Sequence, residues 1–334
     1  MLRKIASLTM LLLFGLTSCG WPGLDGQQVK PGEDISDQTV QIRLPMGYIP
    51  NVQFAPFYVA VEKGYFREAG IEIEFDYSFE TDGVALVGAG ELPFALVSGE
   101  QVLLARAQGL PVVYAAAWFQ QYPISVVSKI AEGIRNPQDL VGKKIGLPGL
   151  FGANYVGLQA LLFSAGMKDT DVSLDSIGFN QVEALATDQE QAVVVYTANE
   201  PIQLRALGYE LNEIRVANFA RLASNGILTN EKTISDKPEL VRAFVGAFLK
   251  GLADTLASPE PALEACKPYI PNLSELDPEV QKQVLAASIE LWKTDHLGES
   301  DPQAWKNMHD VLLRAGLISV ELDVSRAFTN QFIP

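Results

Sequence analysis

In this 334-residue chain, the residues whose types and spacing could do chemistry are loop aromatics, one amide–carboxylate pair and several helix starts. Tyr48, Phe54, Phe57 and Tyr58 follow the first apolar run. Trp118, Phe119 and Tyr122 follow a later one, and Phe151 and Tyr155 lie where Pro148-Gly149-Leu150-Phe151-Gly152 opens a helix. Core aromatics are expected inside strands, whereas rings in the loops after strands suit stacking on a flat ligand, about 0.5 to 1.5 kcal/mol per pair beyond burial. In Tyr196-Thr197-Ala198-Asn199-Glu200-Pro201 a buried strand gives way to a helix. There Asn199 and Glu200 would face a cleft and meet the donors and acceptors of a heterocyclic edge. The plainer reading, Asn199 as N-cap with Pro201 in the first turn, is compatible with that role.

Two other helix starts offer backbone N–H groups for a hydroxyl or carbonyl oxygen, one at Asp82 and Gly83, the other at Ser98, Gly99 and Glu100. Asp82 also reads as a simple cap. The glycines from Gly149 to Gly152 resemble a phosphate cradle, but no G-x-x-x-x-G-K-[ST] follows, so nucleotide hydrolysis finds no support. That loop instead lets backbone approach an uncharged ligand.

Much enzyme chemistry is short of residues. Two His and two Cys, without C-x-x-C or H-x-x-x-H, leave no zinc site and no Cys/His nucleophile pair. Both histidines, His296 and His309, fall in a stretch that reads as surface helix. The formal net charge of -15 carries no Lys/Arg stripe, which removes the electrostatic drive for nucleic acid. The remaining cargo is small and neutral.

The N-terminus sets the expected compartment. Arg3 and Lys4 precede an apolar run from Leu8 to Leu16 that is too short to span a bilayer, which needs about 20 residues. Leu16-Thr17-Ser18-Cys19-Gly20 has the form of a lipobox, so Cys19 is expected to be the lipidated first residue of the mature chain, with residues 1–18 removed as a signal. Loss of Arg3 and Lys4 takes the charge from -15 to -17. Residues 19–38, rich in Gly, Pro, Gln and Asp, read as a flexible tether. With Cys19 lipidated, Cys266 has no disulfide partner and is expected to be a buried thiol.

The elements that must position these groups alternate in type. Strand patterns at Val40–Leu44, Ile71–Tyr77, Phe94–Val97 and Val112–Ala117 are interleaved with helical spacings at Phe57–Glu68, Asp82–Gly88 and Glu100–Ala107. A second set follows: strands at Ile124–Val127, Lys143–Leu147, Val172–Ile177 and Ala192–Tyr196, with helices at Gly152–Ser164, near Val182–Ala186 and after Pro201. This predicts βαβ units in mostly parallel sheets. Beyond Ile227 the pattern is helical, with Pro238–Leu256, Pro278–Trp292 and Pro302–Leu313, the first capped from Ser235-Asp236-Lys237-Pro238. Two α/β sets and a helical tail suggest two lobes with ligand between them, at the carboxyl ends of the strands.

Gly47-Tyr48-Ile49-Pro50-Asn51, Phe57 through Phe66, Glu91 through Gln101, Ala105 through Val112 and Leu140 through Gly146 resemble blocks of the substrate-binding proteins of ABC importers, in the branch similar to thiamine-pyrimidine synthases. The resemblance runs from Thr39 onward and implies a type II periplasmic-binding-protein fold, α/β in class, with two lobes, a hinge and a helical C-terminal tail. Lobe one would comprise residues 39–122 plus 225–334 and lobe two residues 123–224. It also implies hinge closure on ligand, read by a permease with its ATPase subunits. The synthases consume a histidine and need a cysteine cluster. Gln101 stands where that histidine would align and no cluster exists, so the chain is expected to bind, without catalysis, cofactor or metal.

The aromatic set favours a heterocycle with a pyrimidine-like edge, and the chain further resembles riboflavin-binding lipoproteins of this branch. Riboflavin is therefore the expected cargo, with a thiamine pyrimidine precursor as the alternative. Tyr48, Asn51, Phe54, Phe57, Tyr58, Gly83, Glu100, Trp118, Tyr122, Phe151, Gly152, Tyr155, Tyr196, Asn199 and Glu200 are expected at the site together with Asp82, Ser98 and Asn180, which could meet a ribityl chain. Replacing Glu200 or Trp118 by Ala is expected to weaken binding with little effect on unliganded stability. A synthase-like enzyme and a sensory lipoprotein are the readings from other classes.

Overall fold

The computed structural model describes residues 39–334, so Cys19, the signal and the tether lie outside the described residues. The described residues form ten strands: β1 Val40–Gly47, β2 Ile71–Phe79, β3 Ala95–Val97, β4 Val112–Ala117, β5 Ile124–Lys129, β6 Lys144–Leu147, β7 Ser173–Ser176, β8 Ala192–Tyr196, β9 Leu211–Arg215 and β10 Gly226–Asn230. The α-helices are α1 Ala55–Glu62, α2 Tyr65–Glu68, α3 Glu80–Gly88, α4 Gly99–Ala107, α5 Gly152–Ser164, α6 Gln181–Ala186 and α7 Glu200–Ala206. The tail adds α8 Glu231–Asp236, α9 Pro238–Ala257, α10 Pro259–Ala265, α11 Pro278–Trp292 and α12 Pro302–Arg314.

The strands form a two-lobed α/β fold. In the first lobe β1 pairs with β2 in parallel, and β10 lies between β3 and β4, antiparallel to both. The second holds one sheet in the order β7-β6-β8-β5-β9. Its central strand β8 has Val193, Val194 and Val195 fully buried, the near-continuous apolar run of a strand covered on both faces.

The expectation of mostly parallel sheets needs correcting. β6 is parallel to β7 and β8, but β5 is antiparallel to β8 and β9, as β10 is to its neighbours. β5 and β10 are the strands reached when the chain passes from one sheet to the other. Hydrophobic pattern carries no strand direction, so the reversal leaves no trace in it.

Local chemistry accounts for other departures. The helix expected over Phe57–Glu68 is two helices, because Gly64 adopts φ of 77° between α1 and α2. The segment around Ser235 is the end of α8, and Lys237 caps α9 without a side-chain bond. Asn230 is the working cap there, accepting from Thr233 N at 2.7 Å to start α8. His309 is 4% exposed on α12 and accepts from Leu322 N at 3.1 Å, while His296 is exposed in a bend after α11. His309 thus lies on the buried face of a surface helix, and His296 outside any helix.

α9 lies against α1 so closely that a Cβ on Gly251 would stand 2.2 Å from the Pro56 carbonyl oxygen. α12 contacts both α4 of the first lobe and α5 of the second. Cys266 is fully buried, its Sγ 3.3 Å from the Ala262 carbonyl, and burial pushes the thiol up to about 12. No helix among the described residues is long and apolar enough to cross a membrane.

Candidate ligand-binding site

A cavity of about 250 Å³ opens where the strand ends of both lobes converge. Its walls come from residues just past the carboxyl ends of β1 (Tyr48), β2 (Glu80), β4 (Trp118), β6 (Pro148) and β7 (Phe179), and from Tyr196 at the end of β8. Parallel strands present their carboxyl ends, and the helices that follow, to one crevice. No Lys or Arg lines it.

Eight of the residues expected at the site line this cavity: Tyr48, Phe54, Trp118, Phe151, Gly152, Tyr196, Asn199 and Glu200. Asn51 and Asn180 border an adjacent open groove with Tyr48, Asn199 and Glu200. Their amides also serve the backbone: Asn51 accepts from Gln53 N at 3.0 Å and Asn180 donates to the Ile177 carbonyl at 3.0 Å.

The remaining eight lie elsewhere, for identifiable reasons. Phe57 stacks on Phe248 at 4.6 Å and Tyr58 on Tyr269 at 4.5 Å, because α1 begins at Ala55 and turns both rings into the core. Gly83 is where α3 touches the strands, since a Cβ would come within 2.9 Å of Pro45 and 3.0 Å of Ala95. Asp82 points to solvent from the first turn of α3. Tyr122 donates to the Ala153 carbonyl at 2.9 Å, and Tyr155 packs against the surrounding core. Ser98 and Glu100 are fully buried behind the wall.

The amide–carboxylate pair is rigidly built. Glu200 accepts the Tyr196 N–H at 2.9 Å on Oε2 and the Asn199 Nδ2 at 3.2 Å on Oε1, while Gln203 donates to Asn199 Oδ1 at 2.9 Å. Asn199 makes no side-chain capping bond. Burial pushes the Glu200 carboxyl up to about 7, with the Tyr196 and Asn199 donors opposing it. At neutral pH this group therefore sits between donor and acceptor. Across from it, burial and then the nearby Glu200 charge hold the Tyr48 phenol well above its ordinary range, against a hydrogen bond to Asn199.

Aromatic contacts join the lobes at the mouth. Phe179 meets Tyr48 edge-on at 5.0 Å and lies over Phe79 at 6.3 Å. Phe79, Phe151 and Phe179, all lining the cavity, stay 55%, 57% and 44% exposed. Trp118 behaves differently. It is 3% exposed within Phe54, Phe57, Phe119 and Trp292, with centroids 4.8 to 5.7 Å away, and this packing argues that its removal would cost unliganded stability as well.

Several lining residues escaped the sequence reading, among them Phe79, Glu80, Phe179, Gln181 and Asn225. Glu80 directly follows β2 in the fold, but the alternating pattern in the sequence ends at Tyr77 and gives it no such position. Gln101 does line the cavity. Gly47 makes room for Glu80, having φ of 76° and a virtual Cβ 2.6 Å from Glu80 Cγ. Gly47→Ala is accordingly expected to cost about 1 to 3 kcal/mol in chemical unfolding, from backbone strain plus displacement of Glu80.

A two-lobed α/β body with an aromatic, cation-free cavity between its lobes defines a solute-binding protein. The chain matches the family described as NMT1/THI5 like over residues 51–262, and it belongs to that family. It is 39% identical over 343 aligned positions to the riboflavin-binding protein RibY of Chloroflexus aurantiacus, covering 99% of this chain and 98% of that one. A formylaminopyrimidine-binding protein of Halalkalibacterium halodurans is 28% identical, with 91% of each chain covered. Among solved structures, the periplasmic aliphatic sulphonate binding protein SsuA from Escherichia coli superposes with a TM-score of 0.71 at 12% identity, over 86% of this chain and 97% of that one. That last likeness concerns the fold alone.

Proposed function

We propose that this protein is the solute-binding component of an ABC importer, that it captures riboflavin between its lobes, and that it performs no catalysis. The observation that carries the reading is the cavity wall: several aromatic rings, a buried amide–carboxylate pair at Asn199 and Glu200, and no basic side chain. Flat rings stack there, and a carboxyl poised near neutrality suits a pyrimidinedione edge, which offers a donor flanked by acceptors. The absence of Lys and Arg disfavours phosphorylated or sulfonated ligands, which need a cation or a dedicated N–H nest. The 39% identical relative named as riboflavin-binding supports the same cargo.

In this reading residues 39–122 with 225–334 form one lobe and residues 123–224 the other, closing about crossings near Pro123 and Asn218. Cys19 carries the lipid anchor that holds the body on the extracytoplasmic face, where a permease with its ATPase subunits receives the cargo. Mass spectrometry of the membrane fraction should find diacylated Cys19, and Cys19→Ser should release the protein from membranes. A second reading, a thiamine pyrimidine precursor as cargo, draws on the 28% identical formylaminopyrimidine-binding relative.

Calorimetry with both ligands tests the choice. Riboflavin should bind one to one and the pyrimidine at least about a hundredfold more weakly, since the single ring leaves much of the aromatic wall uncovered. The reverse order would overturn the riboflavin reading. Glu200→Ala should weaken riboflavin by roughly tenfold to a hundredfold, because it leaves a buried polar group of the ring edge unsatisfied, as measured by the same titration.

A further inference from the structure

Behind the first-lobe wall one serine serves two carboxyl groups. Ser98 Oγ lies 2.6 Å from Glu80 Oε2 and within hydrogen-bonding distance of Glu100 Oε1, and the Ser98 N–H donates to Glu80 Oε2 at 3.2 Å. A hydroxyl has one hydrogen. It can donate to one carboxylate only, so the other contact requires a proton on a carboxyl oxygen. No lysine or arginine among the described residues contributes to the surroundings of either group, whose charged or ionisable neighbours are each other and the tyrosines Tyr114, Tyr122 and Tyr196.

The two carboxyls are not equivalent. Glu80 is the first residue of α3 and lines the cavity; burial raises its carboxyl too, but it receives both Ser98 donors, which oppose the rise. Glu100 is fully enclosed, and its Oε2 has no partner. The proton therefore belongs on Glu100, which donates to Ser98, which donates to Glu80. The chain of bonds ends in a carboxylate facing the ligand space. Gly47 keeps that position open, and on the same cavity the buried indole N–H of Trp118 also lacks an acceptor.

We propose that Glu80, with both Ser98 donors on one oxygen and Glu100 as its proton-bearing support, is a subsite that accepts hydrogen bonds from a polyhydroxylated chain carried by the ligand's ring. The inference rests on the flavin reading above and assigns its ribityl chain to the α3 wall, apart from the ring edge at the start of α7. Asp82 and Ser98, expected to meet that chain, do not reach it: the first faces solvent and the second lies behind Glu80.

The test compares riboflavin with lumiflavin, which carries a methyl group in place of the ribityl chain, on the wild type and on Glu80→Gln. The expected result is that Glu80→Gln weakens riboflavin about tenfold to a hundredfold while lumiflavin affinity stays within about twofold. Lumiflavin then also reports that the variant is folded. Equal weakening of both flavins, or of neither, overturns the subsite and gives Glu80 a structural role. If the wild type binds neither flavin, the flavin reading itself fails and the subsite falls with it, a pattern distinct from the other two.

Discussion

Trp118→Ala is expected to destabilise the unliganded protein by about 3 to 5 kcal/mol and, even below its melting range, to abolish tight capture of a flat ring. Both losses come from one placement. The indole lines the ligand cavity on one side and on the other sits among Phe54, Phe57, Phe119 and Trp292, so truncation opens a void in the lobe-one core. Urea unfolding with and without riboflavin separates the effects: the apo midpoint should fall, and the ligand-induced shift seen in the wild type should vanish. An unchanged apo midpoint would place Trp118 in the site alone. Glu200→Ala provides the contrast, since it lies at a helix start on the cavity wall and is expected to act mainly on binding.

Glu100→Gln should stabilise the protein increasingly as pH rises. Burial, and then the charge of Glu80, lift the Glu100 carboxyl from 4.5 to about 8. Between those values the unfolded chain has released the proton and the folded one retains it, so wild-type stability declines as pH climbs through that window and levels off above it. At 1.36 kcal/mol per pH unit, the full decline from this group is at most roughly 5 kcal/mol. A glutamine keeps a donor for Ser98 and carries no such penalty. Its unfolding free energy should match the wild type near pH 4 and exceed it by a few kcal/mol at pH 8.5, and parallel pH profiles for the two proteins would contradict a buried neutral Glu100.

Legibility in the sequence followed what each local pattern encodes. The run into Asn199-Glu200-Pro201 was readable because a fully apolar strand, a polar pair and a helix-starting proline follow in order, and all three features occur in the fold. Tyr48 and Phe151 were visible for the same reason, as rings placed just past strand ends. Phe57 and Tyr58 looked equivalent to them but are core, because α1 begins at Ala55 and is apolar on every face where it wedges between sheet and α9. A helix buried all round gives no phase by which to tell ligand-facing rings from packed ones.

Glu80 was hidden by a boundary. A strand pattern ending at Tyr77 and a helix pattern starting at Asp82 left Glu80 in the gap between them, two residues outside the element that aims it into the cavity. Phe179 and Asn225 were hidden by topology, since the first lies in the turn after a short edge strand and the second just before the antiparallel β10. Their approach to the cavity depends on how two sheets face each other, a property of the assembled fold and not of any one window of sequence.

The central claim is that a flat, neutral flavin stacks between these lobes. Titrating the purified body into riboflavin and following flavin emission tests it most directly, because stacking against Trp and Tyr rings quenches that emission. Saturable quenching at one equivalent, with a dissociation constant of about 1 µM or tighter, is the predicted result. Undiminished emission at micromolar riboflavin would contradict it.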